Sequence, residues 1–143
     1  MAVADRAGVR TVMLVGVAYA VIGIVFSLLD DSADARQVIR WRLAAWVVSA
    51  AVGAAHVAWE HYRRGRAPRL TALYAAGAVG LGAFGLALSA NAHWLFAAPR
   101  AGRPPLLALP IWPVITALPA FVVALAAAAA LHRLSPRPAA GRH

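Results

Sequence analysis

The chain contains no cysteine and no lysine, and only five acidic residues in 143. Without cysteine there can be no disulfide, iron–sulfur cluster or thiolate metal site. All fourteen basic residues are arginine. Together with heavy use of alanine, glycine and proline, this suggests a GC-rich, bacterial genome. Charged residues make up 13% of the chain, against about 25% in an ordinary soluble domain. Apolar residues make up 62%, and the mean hydropathy is +0.69. A water-soluble fold of this length has room for one domain and cannot hide that much apolar surface. Lipid must solvate part of it.

The net charge of +9 would suit a nucleic-acid binder if the arginines formed a separate basic surface interleaved with aromatics. Instead they sit in short clusters between apolar runs, where they meet lipid phosphates and set orientation. No nucleic-acid partner is expected; the partners expected are the bilayer and another membrane protein or a second copy of the chain.

Four stretches lack Asp, Glu, Lys and Arg: Thr11–Leu29, Leu43–Trp59, Leu70–Pro99 and Pro104–Leu131. A bilayer core about 30 Å thick needs about 20 apolar helical residues. The pattern predicts an all-α integral membrane protein with transmembrane helices at about 9–29, 35–63, 69–93 and 109–133, followed by a short basic cytoplasmic tail at 134–143. The shortest run extends outward to Trp41 and inward to Tyr62, with flanking arginines snorkelling. Asp30, Asp31 and Ser32 end the first helix and are expected to cap the second. Gly65 and Pro68 mark the next connection, and Pro99, Gly102, Pro104 and Pro105 the last. Short connections imply an up-down-up-down bundle.

Arginine placement sets its orientation. Arg6, Arg10, Arg63, Arg64, Arg66, Arg69, Arg133, Arg137 and Arg142 share one side, and Arg36, Arg40, Arg42, Arg100 and Arg103 the other. The richer side is the cytoplasmic one, so both termini are expected in the cytoplasm, in a multi-pass protein of the cell (inner) membrane. Trp41, Trp46, Trp94 and Trp112 then belong to the outer interface, and Trp59 and Tyr62 to the inner one. Ala33-Asp34-Ala35 resembles a signal-peptide cleavage site, but the preceding apolar run exceeds the usual 7–15 residues of a signal sequence. It is read as a retained helix.

Small residues at spacing four let helices approach closely in lipid. Gly16 and Ala20 form such a stripe on the first helix, and Ala45, Ser49 and Gly53 on the second. Ala76 with Gly80, and Ala78 with Gly82, form two on the third. The fourth carries an alanine run, Ala126 to Ala130. Packing within the bundle is the expected use, and an interface between copies uses the same geometry.

Chemistry has few candidates. His56 is the one ionisable side chain well inside a span, and Glu60 follows four residues later on the same face. Such a pair can relay protons or ligate a metal. Pairing of Glu60 with Arg63 and Arg64 is the plainer use. Asn91, His93, Arg36 and Arg40 outline a possible outer pocket for an anion; ordinary interfacial polarity is the plainer reading. Pro113 and Pro119 interrupt the fourth helix, and Pro119 frees the carbonyl of Ile115 beside Thr116; such breaks line some transporter sites, but a simple kink, common in membrane helices, is the plainer reading. A bis-histidine haem would need His56 opposite His61 or His132 at one depth, which disfavours it. No nucleophile–base set, P-loop or metalloprotease motif occurs, so no enzyme activity and no cofactor are expected. The reading is a non-enzymatic accessory or assembly subunit. The alternative is a small oligomeric transporter or channel using His56, Glu60 and the Pro119 kink, and the third choice is a haem or metal redox protein.

Overall fold

The computed structural model describes residues 6–29, 34–96 and 106–134. These form four helices: α1 (Arg6–Leu29), α2 (Ala35–Arg64), α3 (Pro68–Phe96) and α4 (Ala108–Leu134). Each is long and apolar enough to cross a membrane. The chain is therefore an all-helical, multi-pass type of membrane protein. The acids at 30 and 31, the connection at 97–105 and the tail at 135–143 lie outside the described residues.

The ends of the helices follow local chemistry. α2 is capped by Asp34, in an extended conformation (φ −90°, ψ 111°). Its Oδ1 accepts the Arg36 N–H at 2.9 Å. This corrects the expectation that Asp30, Asp31 or Ser32 would serve. A cap must stand directly before the first helical residue to reach the free amides of the first turn, and with Ala35 as that residue only Asp34 qualifies. α2 ends at Gly65, whose left-handed φ of 58° suits glycine; its N–H donates to the His61 carbonyl at 3.1 Å. Pro68 opens α3 at the position where a missing N–H costs nothing. α3 runs on to Phe96, three residues past the predicted end, because no breaker stands between Asn91 and Pro99.

α3 is the central rod. It packs most extensively on α4 and α1, whereas α2 leans mainly on α1 and touches α3 and α4 less. Among the described residues, nine buried positions lie on α3, from Thr71 to Asn91, and three on α2: His56, Val57 and Glu60. α1 and α3 meet through glycine. A Cβ on Gly16 would lie 2.6 Å from Leu81, and one on Gly85 would lie 2.9 Å from Ala20. One on Gly82 would strike the Tyr19 Cβ and sit 3.1 Å from the Gly16 carbonyl. Gly80 faces the other way, toward Ala117 and Pro113 of α4. Ala78 and Ala76 are both buried. The core cluster of Val57, Ala72, Ala75, Ala124 and Ala128 is mostly alanine, with Phe121, Leu125 and Leu131 against it. Phe26 pairs with Trp41, Tyr19 with Ser49 and Ala7 with Arg64, so contacts climb α1 as they descend α2. Between α1 and α3, Val12 faces Gly77, Gly16 faces Leu81 and Gly23 faces Leu86, in the same sequence direction.

α4 runs unbroken through Pro113 and Pro119. The Thr116 hydroxyl donates to the Trp112 carbonyl at 2.8 Å and the Pro113 carbonyl at 3.1 Å. It reaches back one turn, as helical threonines do, and does not engage Ile115. Pro119 is exposed, between Leu118 (62% exposed) and Val122, so this face of α4 is turned away from the other helices.

Candidate functional site

Charge buried in an apolar bundle is the feature most in need of explanation, because an unpaired ion there costs several kcal/mol. The structure concentrates it at one end of the bundle. Glu60 is completely buried (0% exposed). It sits in the next-to-last turn of α2, four residues after His56, and helical spacing stacks the two on one face. His56 Nε2 lies 3.8 Å from Glu60 Oε1. It is buried and makes no hydrogen bond.

Two arginines close on the carboxylate. Arg64 Nε is 3.6 Å from Oε1, again one turn along α2. Arg66 Nη1 is 2.8 Å from Oε2. The Arg66 contact is an ion pair whose N–H directions miss the line of a hydrogen bond. Arg66 is not on the helix. The left-handed Gly65 reverses the chain and folds the next residue back over the end of α2. The Arg66 guanidinium also lies 4.0 Å above the Tyr74 ring of α3, a cation–π contact that suits arginine. Arg64 reaches across to α1, donating from Nη2 to the Ala7 carbonyl and the Thr11 hydroxyl, each at 3.0 Å. Glu60 is thus the hub of a tie joining α1, α2 and α3. Thr71 of α3 is buried at the same end, its hydroxyl without a hydrogen-bond partner.

Sequence spacing anticipated His56 with Glu60, and Arg64 as a partner of the acid. Arg63 is different: its guanidinium lies 5.2 Å over Trp59, on the outward side of α2. Arg66 and Tyr74 were not anticipated. The available signal was Gly65, since a glycine ending a helix returns the following residue onto it. His61 and His132 meet at this end, ring centroids 6.4 Å apart and edge-on, with Tyr62 edge-on to His61 at 4.9 Å. No group of three or more metal-ligating side chains occurs among the described residues.

The four residues of the outer pocket expected from sequence have unlike settings. Asn91 is buried (3% exposed), and its amide donates to the Ala87 carbonyl at 2.9 Å. Arg36, Arg40 and His93 are exposed. A shallow depression of about 200 Å³ between α1 and α2 is lined instead by Gly23, Phe26, Ser27, Trp41, Arg42 and Ala45.

No protein-family model, curated protein or solved structure matches this chain.

Proposed function

We propose that the chain is a non-enzymatic subunit of the bacterial inner membrane, crossing it up-down-up-down with both termini in the cytoplasm. Its α2 helix packs against another membrane-embedded helix, from a second copy or a different protein. The observation that carries this reading is the exposed length of α2. Ile39, Leu43, Trp46 and Val47 form a continuous apolar ridge, with Trp46 76% exposed, and Ala50, Ala51, Ala54 and Ala55 continue it with small residues. Aromatic and small side chains on one helix face suit close helix–helix approach in lipid. The ionic groups of the bundle are engaged with one another around Glu60, which supports a framework held in fixed shape. The nine-to-five arginine asymmetry supports the orientation, and the opposed pairing of α1 with α2 supports alternating crossings.

The absence of cysteine makes the test clean. Single cysteines at Trp46 or Val47, labelled with a maleimide–benzophenone crosslinker and irradiated in native membranes, should trap a stoichiometric partner, because the photoexcited ketone inserts into a C–H bond of whatever helix lies against it. Cysteine at Gly77, beside Val12, should not. If α2 and α3 cysteines give the same uncrosslinked monomer, the reading fails. A cysteine at Leu134 labelled by an impermeant reagent from outside intact cells would overturn the orientation.

A further inference from the structure

The uncovered side of α2 is apolar along most of its length but not at its start. Counting back from Ala54 in steps of three and four residues, one helix face carries Ala51, Val47, Leu43, Arg40 and Arg36. All of these positions are exposed, so the two arginines stand in line with the apolar ridge. The first turn of α2 contains no acid, and Asp34 before it serves as the cap, accepting the Arg36 N–H. Arg36 and Arg40 thus lie at the positive end of the helix dipole, where a cation is disfavoured and an anion favoured. The arginines at the other end of α2 are provided for within the chain: Arg64 and Arg66 close on Glu60, and Arg63 lies over Trp59. Among the described residues, no acid or aromatic ring is paired with the side chain of Arg36 or Arg40.

Resting on the reading of α2 as a partner-binding ridge, we propose that its occupant is a transmembrane helix of a different protein, with carboxylate side chains at the depth of Arg36 and Arg40. A second copy of the chain does not fit. Copies of one chain insert the same way by the arginine asymmetry. A pair joined side by side through this face sets the arginines of one copy level with those of the other, and like charges facing each other oppose association. A helix with acid at that level answers both the guanidiniums and the helix dipole. The fork of an arginine matches a carboxylate in geometry as well as in charge. Arg36 and Ala54 are 18 residues apart (36 to 54), a rise of about 27 Å, close to the bilayer core of about 30 Å. The apolar contact therefore fills the span, and the charged contact sits at its edge. Packing of Leu43, Trp46, Val47 and the alanines supplies adhesion, while the arginines choose the partner and fix its register.

The test is energy transfer in phosphatidylcholine vesicles, between the full-length chain labelled through Leu134→Cys and single-span leucine–alanine peptides. One peptide ends its span in two glutamates at the Arg36 level, and the other in two glutamines. The glutamate peptide should associate about fivefold more tightly, the yield of two ion pairs at an interface, and its advantage should shrink in high salt. Arg36→Gln combined with Arg40→Gln, both at exposed positions, should erase the advantage and leave the glutamine peptide binding as before. Trp46→Ala should weaken both peptides alike. Equal binding of the two peptides, or a preference that survives in the double variant, overturns the acidic partner and leaves the packing role of α2 standing. If neither peptide binds, both readings fall. Self-association of the labelled chain that Trp46→Ala abolishes would make the occupant a second copy. A preference lost in phosphatidylglycerol vesicles would assign the arginines to lipid phosphate instead, and either result overturns the proposal. The comparison of the two peptides on wild type needs no substitution in the α2 face.

Discussion

α2 and α3 are of nearly equal length, yet they are held in the bundle by different forces. α3 is thin, rich in alanine and glycine, and enclosed by α1 and α4. Its attachment is van der Waals contact at backbone distance, the main source of helix association where lipid removes the hydrophobic drive. α2 carries bulkier residues, leaves a whole face uncovered, and is tied at its end by Glu60, Arg64 and Arg66. A glycine seam is insensitive to charge but intolerant of a methyl group. An ionic tie is tolerant of shape and sensitive to the loss of either partner. Each substitution below acts on one helix and should leave the other in place.

The largest effect is expected at Glu60. Replacement by alanine leaves Arg66 largely buried without its counter-ion, and breaking a buried pair costs about 3–5 kcal/mol. Thermal unfolding in detergent should show the loss. A cysteine at Thr11 or Arg69, labelled with maleimide, should then report separation at the α2 end while the α1–α3 contact persists. A stability unchanged from wild type would show that the tie contributes nothing.

Gly82→Ala comes next, at about 2 kcal/mol, typical of an extra methyl forced into a packed contact, because the added Cβ meets Tyr19 and the Gly16 carbonyl. Gly80→Ala is its control: the nearest atoms would be 3.5 and 3.7 Å away, an ordinary contact, so the change should stay within about 0.5 kcal/mol. If the two glycines respond alike, the glycine seam between α1 and α3 is not what holds them.

Gly65→Ala should cost about 1 kcal/mol, since an L side chain is strained in the left-handed region. The loss should be coupled to Arg66: in a double-mutant cycle with Arg66→Gln the two should not add, because each releases the same ion pair. Additive losses would separate the turn from the tie.

Tyr19→Phe should have the smallest effect on stability, about 0.6 kcal/mol, the average for a side-chain hydrogen bond between membrane helices. A loss of several kcal/mol would mean that the phenol, rather than the ionic tie, holds α2 to α1.

The helices were legible in the sequence because lipid imposes a length and a composition that no other environment requires. Only their ends moved, and those by local rules: Asp34 displaced the acids before it as the cap, and α3 gained three residues because no breaker stands between Asn91 and Pro99. The His56–Glu60 pair was legible because a helix fixes the geometry of residues four apart. Arg66, Tyr74 and Tyr19 were not, because they reach α2 from outside its own helix. The setting of Pro119 was not legible either, for the same reason. The sequence indicates a possible kink, but which side of α4 meets the bundle depends on α3.

Hydropathy and charge spacing alone determined that this polypeptide forms four membrane-length helices with arginine gathered at their ends, because lipid acts on each segment separately. Tertiary structure decided which glycines touch, which arginine answers Glu60, and which side of α2 is left uncovered. Those outcomes depend on pairs of residues distant in the chain, and no local pattern specifies which pairs will meet.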